Sequence, residues 1–226
     1  MIVLYLIFIA LFAFVLGGLN GAIITSKLAY GDDIRKHGSG NAGLTNFYRT
    51  YGGQGAFLVV LIDVIKTALP VILGGNLLAD HFAFANVEER ILLGRTFAGL
   101  FAVIGHAYPC FNDFKGGKGI LAAGTMILFL DYRVFLIVAV VFFSVVALTR
   151  YVSLASVLTA LAFPIAMLVL GMPFWATILA ALCATFVIYR HRENLQRLVK
   201  GEERKLSLGK KPEQAEQPEQ KEEESS

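Results

Sequence analysis

The stretch "YVSLASVLTALAFPIAMLVLGMPFWATILAALCATFVIY", Tyr151 to Tyr189, holds 39 residues without a charge or a histidine. As a single helix it would be about 58 Å long at 1.5 Å per residue, roughly twice the thickness of a bilayer's hydrocarbon core. Gly171, Met172 and Pro173 supply a break near its middle. The stretch therefore predicts a tight hairpin of two membrane-spanning helices, and with it an all-α, polytopic membrane protein.

The composition of the whole chain agrees with a membrane protein. Of 226 residues, 56% are hydrophobic, which is too apolar for one soluble core. The net charge of +3 is less informative than its placement, since charge is sparse up to residue 189 and dense in the tail. Cys110 and Cys183 both lie in or beside apolar runs and make no disulfide framework.

Seven apolar segments approach the roughly 20 residues that a helix needs to cross a bilayer. These predicted spans are 2–24, 54–74, 91–108, 119–130, 134–149, 152–170 and 174–189. The first segment has no basic start and no clear cleavage site, so we expect a retained helix rather than a signal peptide. Asp131 and Arg133 divide the fourth segment from the fifth. Either two short spans meet there at the outer surface, or one long helix buries the pair.

The distribution of Lys and Arg predicts the orientation. The basic loops contain Lys27, Arg35, Lys36, Arg49, Lys115, Lys118 and Arg150. Seven spans place all of them on one side, with the N-terminus outside and the C-terminus in the cytoplasm, whereas six spans would carry Arg150 and the tail outside. We therefore expect a membrane-embedded domain over 1–205 and a disordered cytoplasmic tail over 206–226, because that tail cannot bury enough apolar surface to order.

The first of three unusual polar segments is "GSGNAGLTNFYRTYGGQG", residues 38–55. Its glycines allow backbone to approach a ligand closely and to adopt positive φ. Its candidate ligand groups are Gly38, Ser39, Gly40, Asn41, Thr45, Asn46 and Arg49. Arg49 offers a planar fork suited to phosphate. The alternative is a flexible polar connector, but the density of functional groups favours an anion site.

The second polar segment is "GHAYPCFNDFKGGKG", residues 105–119. Lys115 and Lys118 bracket Gly116 and Gly117 directly before a predicted helix, an arrangement suited to phosphate. It is not a Walker A loop, because the spacing GxxxxGK[ST] is absent. Two lysines would also satisfy a positive-inside signal, but that alternative leaves the glycines and His106 unexplained.

The third polar segment is "YRHRENLQRLVKGEERK", residues 189–205. His191 and Asn194 would share one face of a helix, whereas the neighbouring arginines are typical of anchors to anionic lipid. Inside the predicted spans, Asp63 and Lys66 are spaced to form a self-neutralising structural pair. The histidines are scattered without a carboxylate pattern, so no metal site is expected.

The three segments resemble the signature segments of the bacterial acyl-phosphate:glycerol-3-phosphate acyltransferases. The resemblance rests on "SGNAGLTNFYR", "GHAYPCFNDFKGGKG" and "HRENLQRLVKGEE", in that order. Leu44 stands where the family commonly has alanine. The family implies a seven-helix protein of the bacterial cytoplasmic membrane with its active site facing the cytoplasm.

The resemblance also implies the reaction: acyl transfer from an acyl phosphate to the sn-1 hydroxyl of glycerol 3-phosphate, giving lysophosphatidic acid and inorganic phosphate. No cofactor, nucleic acid or obligate protein partner is implied; the partners are the two substrates and the lipid bilayer. The residues that match substrate-contacting or catalytic positions of the family are Ser39, Arg49, Lys118, His191 and Asn194, with Gly116 and Gly117 in a phosphate loop. The proton acceptor stays open between His191 and a substrate phosphate.

Other classes of protein share some of these features. A transporter of a phosphorylated small molecule would use similar loops, but its site would lie near the middle of the membrane. A structural scaffold does not need glycine-rich loops, and enzymes of polyprenyl phosphates usually use carboxylates with Mg²⁺. The clustering of the polar segments at one surface favours the acyltransferase.

Overall fold

The computed structural model describes residues 1–81 and 85–206, and within those residues all regular structure is helical. These described residues form ten α-helices and one 3₁₀ turn, Ile34–Lys36. The helices are α1 Ile2–Gly17, α2 Gly21–Tyr30, α3 Leu44–Tyr51, α4 Gly53–His81, α5 Val87–Ala107, α6 Ile120–Leu130, α7 Tyr132–Thr149, α8 Val152–Val169, α9 Phe174–Arg190 and α10 Arg192–Val199. The predicted all-α fold is confirmed for this part of the chain. The expected disordered tail lies mostly outside it.

Each of the seven predicted spans corresponds to helix in the structure. In the part of the chain that the structure describes, four stretches are long and apolar enough to cross a membrane: Ile2–Tyr30, Gly53–His81, Tyr132–Thr149 and Val152–Val169. A fifth is added if α9 and α10, which meet at a bend of 55°, form one broken span. The helix α6 is apolar but shorter, and α5 carries charges in its first turns. A multi-pass membrane protein follows, while the count of seven spans stays a prediction.

The first predicted span is broken, not continuous. α1 ends at Gly17, and α2 begins at Gly21 with Asn20 as its cap. The side-chain oxygen of Asn20 accepts a hydrogen bond from the Ile23 N–H, which satisfies one free donor at the start of α2. The amide nitrogen of Asn20 donates to the carbonyl of Ala42 at 3.0 Å. A polar residue inside the apolar run therefore both starts a helix and holds the first polar segment.

The junction between α6 and α7 settles the question that the sequence left open at Asp131. α6 ends at Leu130, and Asp131 adopts an extended conformation that caps α7 through the N–H groups of Arg133 and Val134. The carboxylate also pairs with the Arg133 guanidinium at 2.8 Å, and that side chain is half exposed. One long helix with a buried charge pair is thus excluded, because the capping carboxylate ends one helix and starts the next.

The helices pack into a bundle whose outer surface is apolar. α4 and α5 are close neighbours, and Gly74 and Gly94 let their backbones approach: a Cβ on Gly94 would lie 2.2 Å from the Gly74 carbonyl oxygen. A larger core joins α6, α7, α8 and α9 around Met126, Phe163 and Cys183. Large side chains on α1 and α7, including Leu11 and Phe143, face outward, as they do in lipid.

Candidate active site

The three polar segments, distant in sequence, are held together by hydrogen bonds at one end of the bundle. Arg35, beside the first segment, donates to the Asn112 carbonyl of the second at 2.9 Å. Arg190 at the start of the third donates to the Gly117 carbonyl at 3.1 Å. Arg49 donates to the carbonyl of Arg204 at 3.2 Å, which joins the first segment to the third. The expected convergence of the segments on one face is therefore confirmed.

Much of the first segment is a short helix and not a loop. α3 is an amphipathic helix that buries Phe47 and Tyr51 while Arg49 stays partly exposed. Because glycines flank α3 on both sides, the helical spacing of its apolar residues is difficult to recognise in the sequence. Before the helix, Gly38 and Gly40 have φ of 58° and 70°, so the expected left-handed backbone is present at both.

Asn46 maintains the shape of the first segment. Its side-chain oxygen accepts from the Ser39 N–H at 3.0 Å, and its amide nitrogen donates to the His37 carbonyl at 3.0 Å. The residue is buried, although it also borders the main cavity described below. These bonds fold the backbone around α3 so that the exposed Ser39 lies at the mouth of the site. Asn46 thus acts on the site through the loop conformation.

The two glycines of the second segment are required by close packing. A Cβ on Gly116 would lie 2.1 Å from the His106 carbonyl oxygen, and a Cβ on Gly117 would lie 2.2 Å from Nε2 of His106. The N–H groups of Gly116 and Gly117 donate to the carbonyls of Ala107 and His106. These two donors are therefore used to end α5, and the place of Gly116 and Gly117 in a phosphate loop stays a prediction. The segment also offers the side chains of Lys115 and Lys118.

Lys118 belongs to a polar network that reaches into the third segment. Its ammonium donates to the side-chain oxygen of Asn194. The Asn194 amide nitrogen donates to Glu203 at 2.7 Å, and Arg197 donates to the other oxygen of that carboxylate at 2.9 Å. Burial and the nearby charge of Arg197 lower the pKa of Lys118 to about 8. Because the Asn194 amide that contacts the Lys118 ammonium is neutral, Lys118 is suited to exchange this contact for one with an anion.

His191 lies between α9 and α10, with its side chain buried. Its Nδ1 is 2.8 Å from the Val187 carbonyl oxygen, and a carbonyl can only accept. Nδ1 therefore carries the hydrogen in the neutral ring, and Nε2 holds a lone pair. The ring is fixed in the tautomer that a general base needs, and it borders the same cavity as Asn194 and Lys118.

A second polar cluster is buried within the bundle. Lys66 pairs with Asp63 at 2.7 Å and lies 2.9 Å from Nδ1 of His106, while the Gly21 N–H donates to Asp63 at 3.0 Å. The structural pairing expected for Asp63 and Lys66 is confirmed, and His106 joins it. Because its Nδ1 accepts from the ammonium, the neutral His106 carries its hydrogen on Nε2. This cluster ties α2, α4 and α5 together, and two of its members, Asp63 and His106, also border the larger cavity described below.

Two cavities meet at the polar network. The larger has a volume of about 670 Å³. Its polar end is lined by Ser39, Asn41, Thr45, Asn46, Arg49, His106, Lys118, His191, Asn194, Arg197 and Glu203. Its apolar part runs between α6, α7, α8 and α9 and is lined by residues including Ile120, Ile127, Phe135, Phe142, Val152, Phe163 and Val187. The smaller, of about 320 Å³, is bordered by Gly40, Lys115, Gly116, Arg190, Arg192 and Arg197. Ser39, Asn41, Lys118 and Arg197 border both.

Comparison with known proteins identifies the family. A family model described as "Glycerol-3-phosphate acyltransferase" matches residues 7–201. A relative named glycerol-3-phosphate acyltransferase 2 from Bacillus cereus is 39% identical over 215 residues, covering 93% of this chain and 99% of the relative. One from Bacillus subtilis, named glycerol-3-phosphate acyltransferase, is 37% identical over 198 residues, covering 86% and 94%. The chain belongs to the glycerol-3-phosphate acyltransferase family.

Solved structures agree with this assignment. The crystal structure of PlsY (YgiH), an integral membrane glycerol 3-phosphate acyltransferase, in its glycerol 3-phosphate form has a TM-score of 0.79 and 33% identity, covering 89% of this chain and 96% of that one. The lysophosphatidic acid form of the same protein gives 0.76 and 31%, covering 89% and 95%. This chain is thus an integral membrane acyltransferase of phospholipid synthesis, as the resemblance implied.

The sequence does not reveal every residue that borders the site of this acyltransferase. Arg190 and Arg197 are typical lipid anchors by position, but Arg190 binds the second segment and stacks over Tyr108 at 4.8 Å, while Arg197 pairs with Glu203. Arg192 lies over the Tyr189 ring and is exposed, but it also borders the smaller cavity. In the sequence, only its position in the third segment marks Glu203 as a possible site residue. Charge alone cannot tell an anchor from a site residue when both lie at the membrane surface.

The acyltransferase site is built from cations, amides and hydroxyls. Within residues 1–81 and 85–206, no group of three or more His, Cys, Asp and Glu side chains is arranged to hold a metal ion. The nearest carboxylate of the network belongs to Glu203. Burial alone would raise the pKa of Glu203, but the hydrogen bonds from Asn194 and Arg197 outweigh burial, so the pKa lies below its usual value. Glu203 is therefore ionised and serves as a counter-charge.

Proposed function

We propose that this acyltransferase moves an acyl group from an acyl phosphate to the sn-1 hydroxyl of glycerol 3-phosphate, releasing lysophosphatidic acid and inorganic phosphate. The observation that carries the proposal is the larger cavity, which joins a cationic end at Lys118 to an apolar channel of membrane helices. An acyl phosphate has the same two parts. The donor is already activated, so the proposal needs no metal, ATP or coenzyme A.

The two cavities suggest where the substrates bind. The acyl chain lies in the apolar part of the larger cavity, which removes it from water. Glycerol 3-phosphate binds in the smaller cavity, where Lys115, Lys118 and Arg197 supply positive charge. Lys118 and Ser39 border both cavities, so the hydroxyl and the acyl carbonyl would meet beside them. Holding the two reactants in this geometry accounts for much of the rate.

The chemical step is nucleophilic substitution at the acyl carbonyl. The sn-1 oxygen forms a bond to the carbonyl carbon, and the bond from that carbon to the phosphate oxygen breaks, with the electron pair leaving on phosphate. Lys118 and Arg49 stabilise the phosphates, while Ser39 and Asn194 serve as donors near the developing oxyanion. The hydroxyl proton passes to Nε2 of His191 or to a phosphate oxygen of a substrate.

The variant His191→Gln distinguishes the two proton acceptors. If His191 is the base, kcat falls by about 10²- to 10⁴-fold, the usual contribution of general base catalysis. Near-normal kcat with a raised KM would instead assign the proton to the substrate phosphate and leave His191 a binding role.

The remaining residues of the proposed site shape its walls. Those of the first segment are Gly38, Gly40, Asn41, Thr45 and Asn46, and those of the second are His106, Lys115, Gly116 and Gly117. Gly116 and Gly117 act by packing closely, Gly38 and Gly40 by their positive φ, and Asn46 by holding the loop, as their geometry indicates. Lys115 is exposed and attracts phosphate to the smaller cavity.

The proposal includes the topology. We place seven spans in the bacterial cytoplasmic membrane, with the N-terminus outside, and the site and the C-terminus in the cytoplasm. The split between α6 and α7 at an exposed Asp131/Arg133 pair supports two separate spans there. Labelling of Tyr132→Cys from outside and of Ser225→Cys from inside only would agree with seven spans. Labelling of both from one side would refute this topology.

Purified protein with palmitoyl phosphate and glycerol 3-phosphate tests the function. We expect release of phosphate that depends on both substrates and is lost in Lys118→Ala, with lysophosphatidic acid formed in equal amount. No release above the Lys118→Ala control would refute the enzyme proposal. Uptake of glycerol 3-phosphate into proteoliposomes in place of release would favour a transporter.

A further inference from the structure

One glycine in α6 differs from the packed glycines of the other helices. A Cβ on Gly74, Gly94, Gly99 or Gly105 would approach a neighbouring atom to within 3.0 Å, whereas a Cβ on Gly124 has no atom of the described residues within 4 Å. Gly124 lies in the middle of a helix of 11 residues, where glycine is less favourable than alanine. Packing therefore does not account for the glycine at this position.

The space beside Gly124 belongs to the larger cavity. The cavity is lined on α6 by Ile120, Leu121, Ala123, Gly124, Thr125, Ile127 and Leu128. The outer members of this set lie three or four residues before and after Gly124, and Ala123 and Thr125 flank it directly, so Gly124 is at the centre of the lining face. The missing side chain thus widens the channel at the middle of its α6 wall.

The position of Gly124 along the channel is below the polar end. It lies four residues beyond Ile120, about 6 Å along the helix axis at 1.5 Å per residue. Phe142 on α7 and Phe163 on α8 line the same cavity with bulky aromatic side chains. A chain whose head is held at Lys118 and whose tail enters the apolar part of the cavity would pass the level of Gly124.

We infer that Gly124 is a specificity-determining residue that keeps the channel open for long acyl chains. The inference rests on the proposed function, because it assumes that the acyl chain of the donor occupies the apolar part of the cavity. A Cβ at position 124 meets no described atom within 4 Å, so a side chain there would enter the open space of the cavity, which is the path of the chain. Short donors end before this level and do not need the space.

The test compares donors of different length in variants of graded size. We expect kcat/KM for palmitoyl phosphate relative to butanoyl phosphate to fall by roughly tenfold or more in Gly124→Leu, since a pocket that changes by even one methylene discriminates at that level. Gly124→Ala should lie between the wild type and Gly124→Leu. The control is Val140→Leu on α7, which adds a methylene to an exposed residue that does not line the cavity; its ratio should match wild type.

Each outcome has a separate meaning. An unchanged ratio in both Gly124 variants, with phosphate release intact, would overturn the inference and leave the proposed function standing. Absence of phosphate release from wild type with every donor would overturn both. If Gly124→Leu does not fold, the comparison rests on Gly124→Ala, which favours helix and should show no loss of melting temperature. An unchanged donor ratio in Gly124→Ala would then overturn the inference.

Discussion

Two polar networks of this acyltransferase are built differently around a lysine, the buried Lys66 in one and the partly buried Lys118 in the other. In the membrane interior, Lys66 contacts Asp63 directly and also His106, and Asp63 has a further donor in the Gly21 N–H. At the cavity, Lys118 contacts a neutral amide, Asn194. Its counter-charge, Glu203, lies one residue further along the network.

The difference separates a structural charge from a functional one. We call the Lys66 cluster closed, because the Lys66 ammonium pairs directly with the Asp63 carboxylate. Removing one partner leaves the charge of the other in an apolar interior. Among residues 1–81 and 85–206, no carboxylate pairs directly with the Lys118 ammonium, which lies beside two cavities, so that an incoming phosphate can supply the opposite charge. Burial of a lysine does not by itself indicate a reactive group. The side chain that contacts its ammonium does: a carboxylate indicates a structural pair, and a neutral amide indicates a cation that can bind an anion.

The largest expected effect comes from opening the closed cluster. Asp63→Ala leaves Lys66 buried without its counter-ion, which should destabilise the protein by about 3–5 kcal/mol. Unfolding in detergent, followed by melting temperature and denaturant midpoint, measures this. The double variant Asp63→Leu/Lys66→Met removes both charges and should recover most of the stability. Wild-type stability in Asp63→Ala would contradict the structural role.

The cavity lysine should affect catalysis and leave stability nearly unchanged. Lys118→Met removes the cation but retains much of the apolar stem, so we expect kcat/KM to fall by about 10²- to 10³-fold, as for loss of one preorganised electrostatic donor. The melting temperature should stay near that of wild type. A large loss of stability with normal activity in the surviving folded fraction would remove the distinction between the two networks.

The pH dependence of activity should report Lys118. Its pKa of about 8 means that the free enzyme loses this charge as the pH rises through 8, so kcat/KM for glycerol 3-phosphate should decline above that pH. Lys118→Arg keeps the charge at high pH and should shift the decline upward, although its different shape lowers the maximum rate. An identical alkaline limb in wild type and Lys118→Arg would assign the titration to another group.

The lowered pKa of Lys118 should make stability change with pH in the direction opposite to activity. Because burial lowers the pKa of folded Lys118 below the unfolded value of 10.5, the unfolded chain binds more protons between pH 8 and 10.5. The contribution of Lys118 to stability should therefore become more favourable over that range while activity declines. Wild type and Lys118→Met compared by unfolding at several pH values would show this divergence.

The smallest effect is expected at the exposed pair between α6 and α7. Asp131→Asn removes the charge facing Arg133 but keeps a side chain that can cap α7. We expect a change in melting temperature of less than about 2 °C and unchanged phosphate release, because exposed ion pairs contribute little. A large loss of stability would mean that this pair resembles the closed cluster.

The helical plan and the candidate site could be read from the sequence because their signals are local. Apolar length and the break at Gly171–Pro173 placed α8 and α9 within a residue or two of their observed bounds. The spacing of Asp63 and Lys66 indicated their pairing. Short helices such as α3 and the capped break at Asp131 were harder, because glycines mask periodicity and an aspartate fits both a cap and a buried pair.

The sequence by itself determined that this chain is an all-helical membrane protein with three polar segments of an acyltransferase, since hydropathy and motif order depend on neighbouring residues. Tertiary structure decided which groups meet. Lys118 and Asn194 are 76 residues apart, Arg190 and Gly117 are 73 apart, and Arg49 and Arg204 are 155 apart. It also decided that Gly116 and Gly117 allow close packing while Gly124 leaves open space. The sequence shows a glycine at each of these positions, and only the atoms packed around each one distinguish close packing from open space.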